Sequence, residues 1–214
     1  MRPDPGDSAV TSAVKQKEAA KGSRAGTARA GQSWARRTRV TPDFAQFVAG
    51  LDMFYLGTAS ADGQPYIQYR GGPPGFLKVL DDRTLGFADF DGNRQYITVG
   101  NLAENPRAFL FLMDYANSRR IKVWGTAKAV ADDTTLLERL RDANYSGRVE
   151  RAIVFTVEAW DINCPRHIHK RYSRREIAPV ITELQNRIAE LEDLREGSAT
   201  RTRTGARGVG STAP

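Results

Sequence analysis

Residues 53–69, MFYLGTASADGQPYIQY, decide the fold class. Two short runs with aromatic and β-branched residues, 53–58 and 65–69, flank the turn sequence 60–63, which ends in Gly63. Such residues favour β-strands, and a glycine in a tight connection supplies the positive φ that a hairpin turn needs. The stretch therefore predicts a β-hairpin.

Short apolar runs separated by turns continue beyond the hairpin. Further strands are predicted at 76–80, 84–90, 108–114, 120–130 and 152–162. Helices are predicted at 42–50, 93–103 and 132–143, the first because Thr41 can cap a helix whose first turn contains Pro42. Short turn-linked strands with few long helices favour a six-stranded antiparallel barrel, mainly β with flanking helices, over a parallel α/β sheet.

The net charge of +7 is concentrated at the two ends of the chain. Residues 1–39 carry a net charge of +6 and residues 197–214 a net charge of +3, so the body between them carries −2. Both ends are rich in small polar residues and arginine and lack hydrophobic periodicity, so we expect flexible basic tails there. A body with net negative charge and no recognition motif argues against nucleic acid as the partner.

Cysteine and histidine are too scarce for several kinds of site. The single cysteine, Cys164, excludes an intramolecular disulfide and a multi-cysteine metal centre, and His167 and His169 alone do not make a histidine-rich one. No run of about 18 apolar residues occurs, and the N-terminal segment has no apolar stretch typical of a secretion signal. We therefore expect a cytoplasmic protein with no resident metal and no membrane contact.

A C-terminal helix is predicted over 174–196. Its apolar residues follow one helical stripe: Ile177, Ile181, Leu184, Ile188 and Leu191. The stripe is shorter than three heptads, which favours a helix packed on the body or on a second copy over an extended coiled coil.

The most unusual loop begins at Arg70, where a predicted strand runs into Gly71, Gly72 and two prolines. Glycines let backbone N–H groups approach a ligand closely, and an arginine can hold a phosphate with two parallel hydrogen bonds. The alternative is a tight turn with a solvated arginine.

A second candidate is the stretch 87–96, where a strand ends in a turn and a helix is predicted to begin. Free N–H groups and the dipole of a helix N-terminus favour an anion, and Asn93 and Arg94 would complete its binding. An ordinary helix cap is the alternative.

A third candidate lies on the predicted strand 120–130. Alternation places Arg120, Lys122 and Trp124 on one face, which could meet a phosphate and stack on an aromatic ring. A polar outer face of the barrel is the alternative. The fourth stretch, 160–169, holds Cys164 near the two histidines, but no third residue that would orient a nucleophile is identifiable.

In this order, the four stretches resemble the pyridoxamine 5'-phosphate oxidase-like family, whose members share the FMN-binding split β-barrel. The similarity covers residues 41–172. Asn93-Arg94-Gln95 stands where the family has its Ser-Arg-Lys phosphate grip, and 119–125 is similar to its Arg-Gln-Val-Arg-Val-Glu-Gly strand. The segment around Asn163 is similar to a subgroup of flavin-nucleotide-binding relatives.

The resemblance implies a set of cofactor-binding residues. Asn93, Arg94 and Gln95 would hold the FMN phosphate and ribityl chain, with Arg70 and Gly71 beside them. Arg120 takes the place of a glutamine that contacts the flavin, and Lys122 and Trp124 share its strand face. The resemblance also implies an FMN-binding domain over 40–173 and a homodimer with the flavin at its interface.

Two departures from the family pattern limit the activities that the resemblance implies. Gln95 replaces a lysine of the phosphate grip, and the C-terminal arginine and histidine signature of the true oxidase is not recognisable. We therefore expect an FMN-dependent oxidoreductase that exchanges a hydride through flavin N5 with a small substrate and a reduced electron donor, without forming pyridoxal phosphate. A non-catalytic flavin or nucleotide carrier or sensor and a deazaflavin-dependent reductase are the alternatives.

No catalytic residue is assigned from the sequence. Tyr66, Tyr69, Cys164 and His167 are candidate proton donors because they lie near the predicted ligand-binding ends of the strands.

Overall fold

The computed structural model describes residues 11–21, 37–162 and 165–205. The chain divides into two compact units, residues 1–169 and residues 170–214, which are taken separately below. In the described residues, no helix is both long and apolar enough to cross a membrane.

Helices and strands follow one another along the chain as follows: α1 (Ser12–Ala20), α2 (Pro42–Ala49), β1 (Met53–Ala59), β2 (Pro65–Gly71), β3 (Lys78–Val79), β4 (Thr84–Phe90), α3 (Ile97–Glu104), β5 (Arg107–Asp114), β6 (Arg119–Val130), α4 (Thr134–Leu140), β7 (Val149–Ile162) and α5 (Arg174–Gly205).

The strands form one antiparallel sheet in the order β2-β1-β5-β6-β7-β4-β3. The expectation of mainly antiparallel β structure with flanking helices is confirmed, but the predicted number of six strands is wrong because the sheet has seven. Each of the seven strand runs predicted above contains one strand of the sheet, and the shortest is β3, in which only Lys78 and Val79 pair with β4. Phe76 and Leu77, which belong to the same predicted run, are instead buried in the core.

The sheet curls around its core. Phe54 of β1 and Phe87 of β4 have ring centroids 5.1 Å apart. Three other strands separate β1 from β4 in the sheet order, and in a flat sheet that separation would be about 19 Å at ~4.8 Å per strand. The two ends of the sheet therefore approach each other, and the face that they enclose is the apolar one.

Helix α2 covers one end of this core. Thr41 accepts a hydrogen bond from the Phe44 amide at 3.3 Å, and Pro42 occupies the first turn, so the predicted helix start is confirmed. Phe44 is buried and stacks on Trp160 of β7 with ring centroids 4.8 Å apart. The helix is thus fixed to the sheet through aromatic contact.

Helix α3 begins four residues later than predicted. Arg94 and Tyr96 have φ values of 58° and 52°, in the left-handed region, so the chain cannot enter a right-handed helix until Ile97. The residues between β4 and α3 therefore form an extended loop.

Of the predicted N-terminal tail, 1–39, the structure describes residues 11–21 and 37–39. The first range contains α1, which has no buried residue and is built largely from good helix formers. At its end, the carbonyl of Arg37 accepts a hydrogen bond from the Trp160 amide at 3.0 Å, and the carbonyl of Arg39 accepts one from Trp160 Nε1 at 2.8 Å. The last residues of the predicted tail are therefore bound to the sheet.

The second unit contains α5, which continues nine residues beyond the predicted end at residue 196. The predicted stripe lies on this helix. Its five members are all exposed, from 39% for Ile177 to 58% for Leu184.

Candidate functional site

A polar cleft of about 50 Å³ opens between strand β2, the end of β4 and the start of α3. It is lined by Gln68, Arg70, Asp89, Phe90, Gly92, Arg94, Gln95, Tyr96, Thr98, Val99 and Glu150. The first two predicted motifs thus come together in the fold, because the curl of the sheet brings β2 against β4.

Arg70 forms the floor of this cleft. It lies opposite Phe54 in the sheet register, on the core side of β2, and its side chain is only 12% exposed. The guanidinium forms an ion pair with Asp89 and lies over the Phe87 ring at 5.7 Å. Its Nε is buried without a hydrogen-bond partner. A buried donor without an acceptor is costly, so the position suits an added anion.

Asp89 is held between two arginines. Besides its ion pair with Arg70, its Oδ2 lies 3.6 Å from Arg151 Nε. Burial raises the pKa of Asp89, and this effect exceeds the opposing attraction of Arg70 and Arg151. Protonation of Asp89 would therefore leave positive charge in the cleft without its carboxylate counterpart.

The opposite wall is the loop that precedes α3. Tyr96 is the N-cap residue and makes no side-chain cap hydrogen bond, so no side chain at that position covers the first N–H groups of α3. Asn93 stabilises the loop, because its Oδ1 accepts a hydrogen bond from the Gln95 amide at 3.2 Å. Arg94 and Gln95 line the cleft itself. Such a helix end favours negative charge.

Three side-chain contacts hold this wall in place. Thr98 Oγ1 donates to Gln68 Oε1 at 2.7 Å, which ties α3 to β2. The Tyr96 hydroxyl donates to Glu150 at 3.3 Å, and the Arg151 guanidinium lies over the Tyr96 ring at 5.0 Å. The left-handed loop is thus fixed by contacts with distant parts of the chain.

Gly71 does not line the cleft. A Cβ atom at Gly71 would lie 2.8 Å from the exposed Tyr69 ring, which would have to shift to make room for it. The close approach of a ligand to the Gly71 backbone stays a prediction.

The third predicted motif lies on the other face of the sheet. Ile121 and Val123 of β6 point into the core, so Arg120, Lys122 and Trp124 point outward. The alternation prediction is correct for these three residues, but the fold does not bring them to the cleft that contains Arg70 within one chain.

Trp124 lines a second cleft of about 300 Å³ on that outer face. Its ring lies 5.3 Å from that of Phe109, and Lys122 Nζ lies 5.3 Å from the Trp124 ring centroid. Gly57, Tyr66, Ile67 and Glu158 also contribute to this cleft. The outer face therefore combines aromatic surface with charge.

The candidate proton donors are scattered. Tyr66 lines the second cleft, and Tyr69 lies on the outer face, where burial and the nearby Asp52 raise its pKa. His167 is exposed, and Cys164 lies outside the described residues. None of the three described candidates lines the cleft that contains Arg70.

Sequence reasoning missed Asp89, Glu150 and Arg151. A signal for Asp89 was present, because a lone acid stands inside the apolar strand 84–90 at a position that shares its face with Leu85 and Phe87. A charge at an inward strand position requires a partner of opposite sign. The arginine that provides it could not be identified without the fold.

The fold and the cleft define a β-sheet protein with a polar, arginine-lined cleft at the meeting ends of its curled sheet. The sequence also shows the family of the protein, because the sequence model of the pyridoxamine 5'-phosphate oxidase family matches residues 40–167. The chain belongs to the pyridoxamine 5'-phosphate oxidase family, which has the FMN-binding split barrel.

Solved structures with a similar fold include proteins that bind different groups. An FMN-binding protein from Syntrophomonas wolfei is 16% identical, with 56% of this chain and 83% of that chain covered and a TM-score of 0.46. An F420 reductase is 17% identical (57% and 98% covered, TM-score 0.39), and HutZ, the heme storage protein from Vibrio cholerae, is 15% identical (58% and 94% covered, TM-score 0.37). Among proteins with curated descriptions, none matches the chain. Likenesses of this degree assign no ligand.

Proposed function

We propose that this protein is an FMN-dependent oxidoreductase whose cleft between β2, β4 and α3 binds the phosphate of FMN. The observation that carries the proposal is Arg70. Its guanidinium is buried on the core side of β2, and its Nε has no hydrogen-bond partner. Carboxylate and phosphate oxygens are the acceptors that a guanidinium commonly meets in proteins, and the Asp89 carboxylate is already paired with Nη1 of Arg70.

The other residues that line the cleft also suit a phosphate group. Arg94 adds a second positive charge on the opposite wall, Gln95 adds an amide, and the N-terminus of α3 adds N–H groups that no Tyr96 side-chain cap covers. The left-handed Arg94 and Tyr96 are further support, because strained backbone of this kind is concentrated at ligand sites.

The size of the cleft supports a second copy of the chain at the site. About 50 Å³ is enough for a phosphate group, whereas pockets that enclose a whole ligand of flavin size measure roughly 300–1,000 Å³. The flavin ring would therefore lie outside the cleft and be covered by another surface. The outer face with Arg120, Lys122 and Trp124 suits that role in a homodimer, since it is aromatic and carries Ile67, which is 69% exposed.

FMN, when bound, would supply hydride transfer through its N5 atom to or from a small substrate. The described residues bind and orient: Arg70 and Arg94 hold the phosphate, and Asp89 fixes the Arg70 guanidinium through their ion pair. We assign no catalytic proton donor to the chain.

The experiment compares FMN with riboflavin, which has the same ring and no phosphate. Flavin fluorescence is titrated with ligand-free protein, and with an Arg94→Gln variant. Loss of one hydrogen-bonded charge pair corresponds to roughly a tenfold weaker affinity. We expect tight binding of FMN, weak binding of riboflavin, and a weaker affinity for FMN alone in the variant.

Arg141→Gln is the matched control, because Arg141 is an exposed arginine at the end of α4 and does not line the cleft. It should leave both affinities unchanged. Equal affinity for FMN and riboflavin would refute the phosphate site.

Turnover decides between the enzyme and its alternatives. A bound FMN that is reduced by a nicotinamide donor and reoxidised by a substrate supports the oxidoreductase. A bound FMN that no donor reduces supports the non-catalytic carrier, and binding of the deazaflavin F420 in preference to FMN supports the deazaflavin-dependent reductase.

A further inference from the structure

We propose that residues 177–194 of two copies of this chain form a parallel two-stranded coiled coil. The inference concerns helix α5 and is independent of the FMN site. It starts from the length of that helix, which is 32 residues. Its apolar pattern covers 18 of those residues, so the paired segment is short, under three heptads, and is not an extended coiled coil.

The apolar face of α5 is unburied. Val180 and Leu194 extend the stripe defined by Ile177, Ile181, Leu184, Ile188 and Leu191, and all seven side chains are between 39% and 67% exposed. Over these 18 residues the helix is about 27 Å long, at 1.5 Å per residue. A continuous apolar face of this length is a surface for a partner.

The residue types along the stripe favour a coiled coil of two helices. With Ile181 and Ile188 at the a positions of the heptad, the d positions hold Ile177, Leu184 and Leu191, so leucine occupies two of the three. Isoleucine at a with leucine at d favours a parallel dimer over higher oligomers. Arg195 occupies the next a position, so the apolar seam ends there.

The flanking charges favour a second copy in parallel orientation. In this register Arg187 is at position g and Glu192 at position e. In a parallel pair, g of one helix faces e of the following heptad of the other, so Arg187 meets Glu192 of the partner subunit on both sides of the seam. In an antiparallel pair g faces g, which would bring Arg187 near its own counterpart.

The outward positions are compatible with this arrangement. Pro179, which removes one helical hydrogen bond, falls at position f, on the far side from the seam. Asn186 and Asp193 occupy the two later f positions, and Glu183 and Glu190 the c positions. The face opposite the seam is therefore polar.

Disulfide trapping in the full-length chain tests the proposal. Cys164→Ser removes the single native cysteine, and Leu184→Cys then places one thiol at a d position. Identical d positions face each other only in a parallel, in-register pair, where they can meet the short Cα separation of a disulfide. We expect most of the oxidised protein to run as a covalent dimer that a reductant returns to monomer.

Cys164→Ser with Asn186→Cys is the matched control, because position 186 is on the outward face and should give little covalent dimer. A Leu184→Cys variant that cross-links no better than this control would overturn the proposal, whether the helix packs on its own body or pairs in the antiparallel sense. Circular dichroism on both variants establishes that the chain is folded before the comparison is made.

A charge exchange gives a second, independent measurement. Arg187→Glu and Glu192→Arg each place like charges across the seam, and the double variant restores opposite charges with their positions exchanged. In the Leu184→Cys background, we expect each single change to lower the cross-linked fraction and the double change to restore it. A double variant that is no better than the single ones would contradict the parallel pairing.

Discussion

Arg70 and Asp89 join the two ends of the sheet. Arg70 lies on β2, which is an edge strand, and Asp89 lies on β4, with four strands between them in the sheet order. Their ion pair is about nine-tenths buried on both sides, since Arg70 is 12% exposed and Asp89 8%. The same contact that closes the curl also forms the floor of the cleft, so the stability of the fold and the shape of the cleft depend on one pair.

Replacing Arg70 by methionine should destabilise the protein at neutral pH. Asp89 would remain buried with Arg151 as its remaining ion-pair partner, and breaking one side of a buried pair costs about 3–5 kcal/mol. We expect a loss near the lower end of that range, because Arg151 remains. Urea unfolding measures the free energy of unfolding.

The loss in the free energy of unfolding caused by Arg70→Met should depend on pH. Because burial raises the pKa of Asp89 in the folded state, the folded chain holds that proton more tightly than the unfolded chain. The stability that comes from Asp89 is therefore greatest below the ordinary carboxyl pKa and falls as the pH rises through the raised one. The loss on removing Arg70 should shrink in mild acid, and a loss that is equal at neutral and mildly acidic pH would contradict this account.

Replacing Asp89 by asparagine should strengthen FMN binding at neutral pH. The ionised Asp89 competes with a phosphate for Arg70 and repels it, and asparagine removes that charge. A charged hydrogen bond corresponds to roughly a tenfold change in Kd. As the pH falls toward the raised pKa of Asp89, the wild-type protein loses the same charge, so the two affinities should converge.

Fluorescence titration of both proteins across the same pH series checks this. Protonation of the phosphate, with a pKa of about 6 for a phosphate monoester, also reduces its repulsion by Asp89, so convergence of the two Kd values above that range is the result that isolates Asp89. If Asp89→Asn binds FMN more weakly at every pH, Asp89 serves chiefly to position Arg70.

Local signals in the sequence were sufficient for much of the fold. The hairpin at 53–69 follows from strand-forming residues around a glycine turn, and α2 follows from Thr41 and Pro42. Alternation also placed Arg120, Lys122 and Trp124 on a common face. In each case the determining interactions lie within a few residues of one another.

Other features depend on distant contacts and could not be predicted. The left-handed Tyr96 is fixed by Glu150 and Arg151, more than fifty residues away. On β2 the pattern is misleading, because apolar Ile67 and Tyr69 face outward and Arg70 faces the core. That inversion is what places an arginine inside the curled sheet, and only the register of β2 on β1 shows it.

Two glycines should respond oppositely to alanine. A Cβ atom at Gly125 would lie 1.9 Å from the Thr156 carbonyl oxygen, at the bulge between β6 and β7, so Gly125→Ala should lower stability by about 2 kcal/mol or more. Gly100 in α3 has nothing within 4 Å of the same atom, and alanine there should raise stability by about 0.5–1 kcal/mol. Urea unfolding of the two variants in parallel compares them. Equal effects would show that β6 and β7 can separate at the bulge.

Trp160 should anchor the segment that precedes α2. Its Nε1 donates to the Arg39 carbonyl at 2.8 Å, and the Arg37 guanidinium lies over its ring at 5.1 Å while pairing with Asp161 at 3.0 Å. Trp160→Phe keeps an aromatic ring against Phe44 but removes the indole donor, so the Arg39 carbonyl loses its partner. We expect a loss of about 1–2 kcal/mol in the free energy of unfolding.

Trp160→Phe should also release the segment that contains Arg37 and Arg39 from the sheet while the rest of the protein stays folded. Trypsin cleaves after arginine, and Arg37 and Arg39 are held to the sheet through Trp160, so cleavage there should become faster in Trp160→Phe under fully native conditions. Mass spectrometry of the first fragments locates the cut. The variant could instead lose stability in urea but be cut at Arg37 and Arg39 no faster than wild type. That result would show that Trp160 supports only the core. The segment would then be held by other contacts, such as the hydrogen bond from the Val40 amide to the Asp82 carbonyl at 2.8 Å.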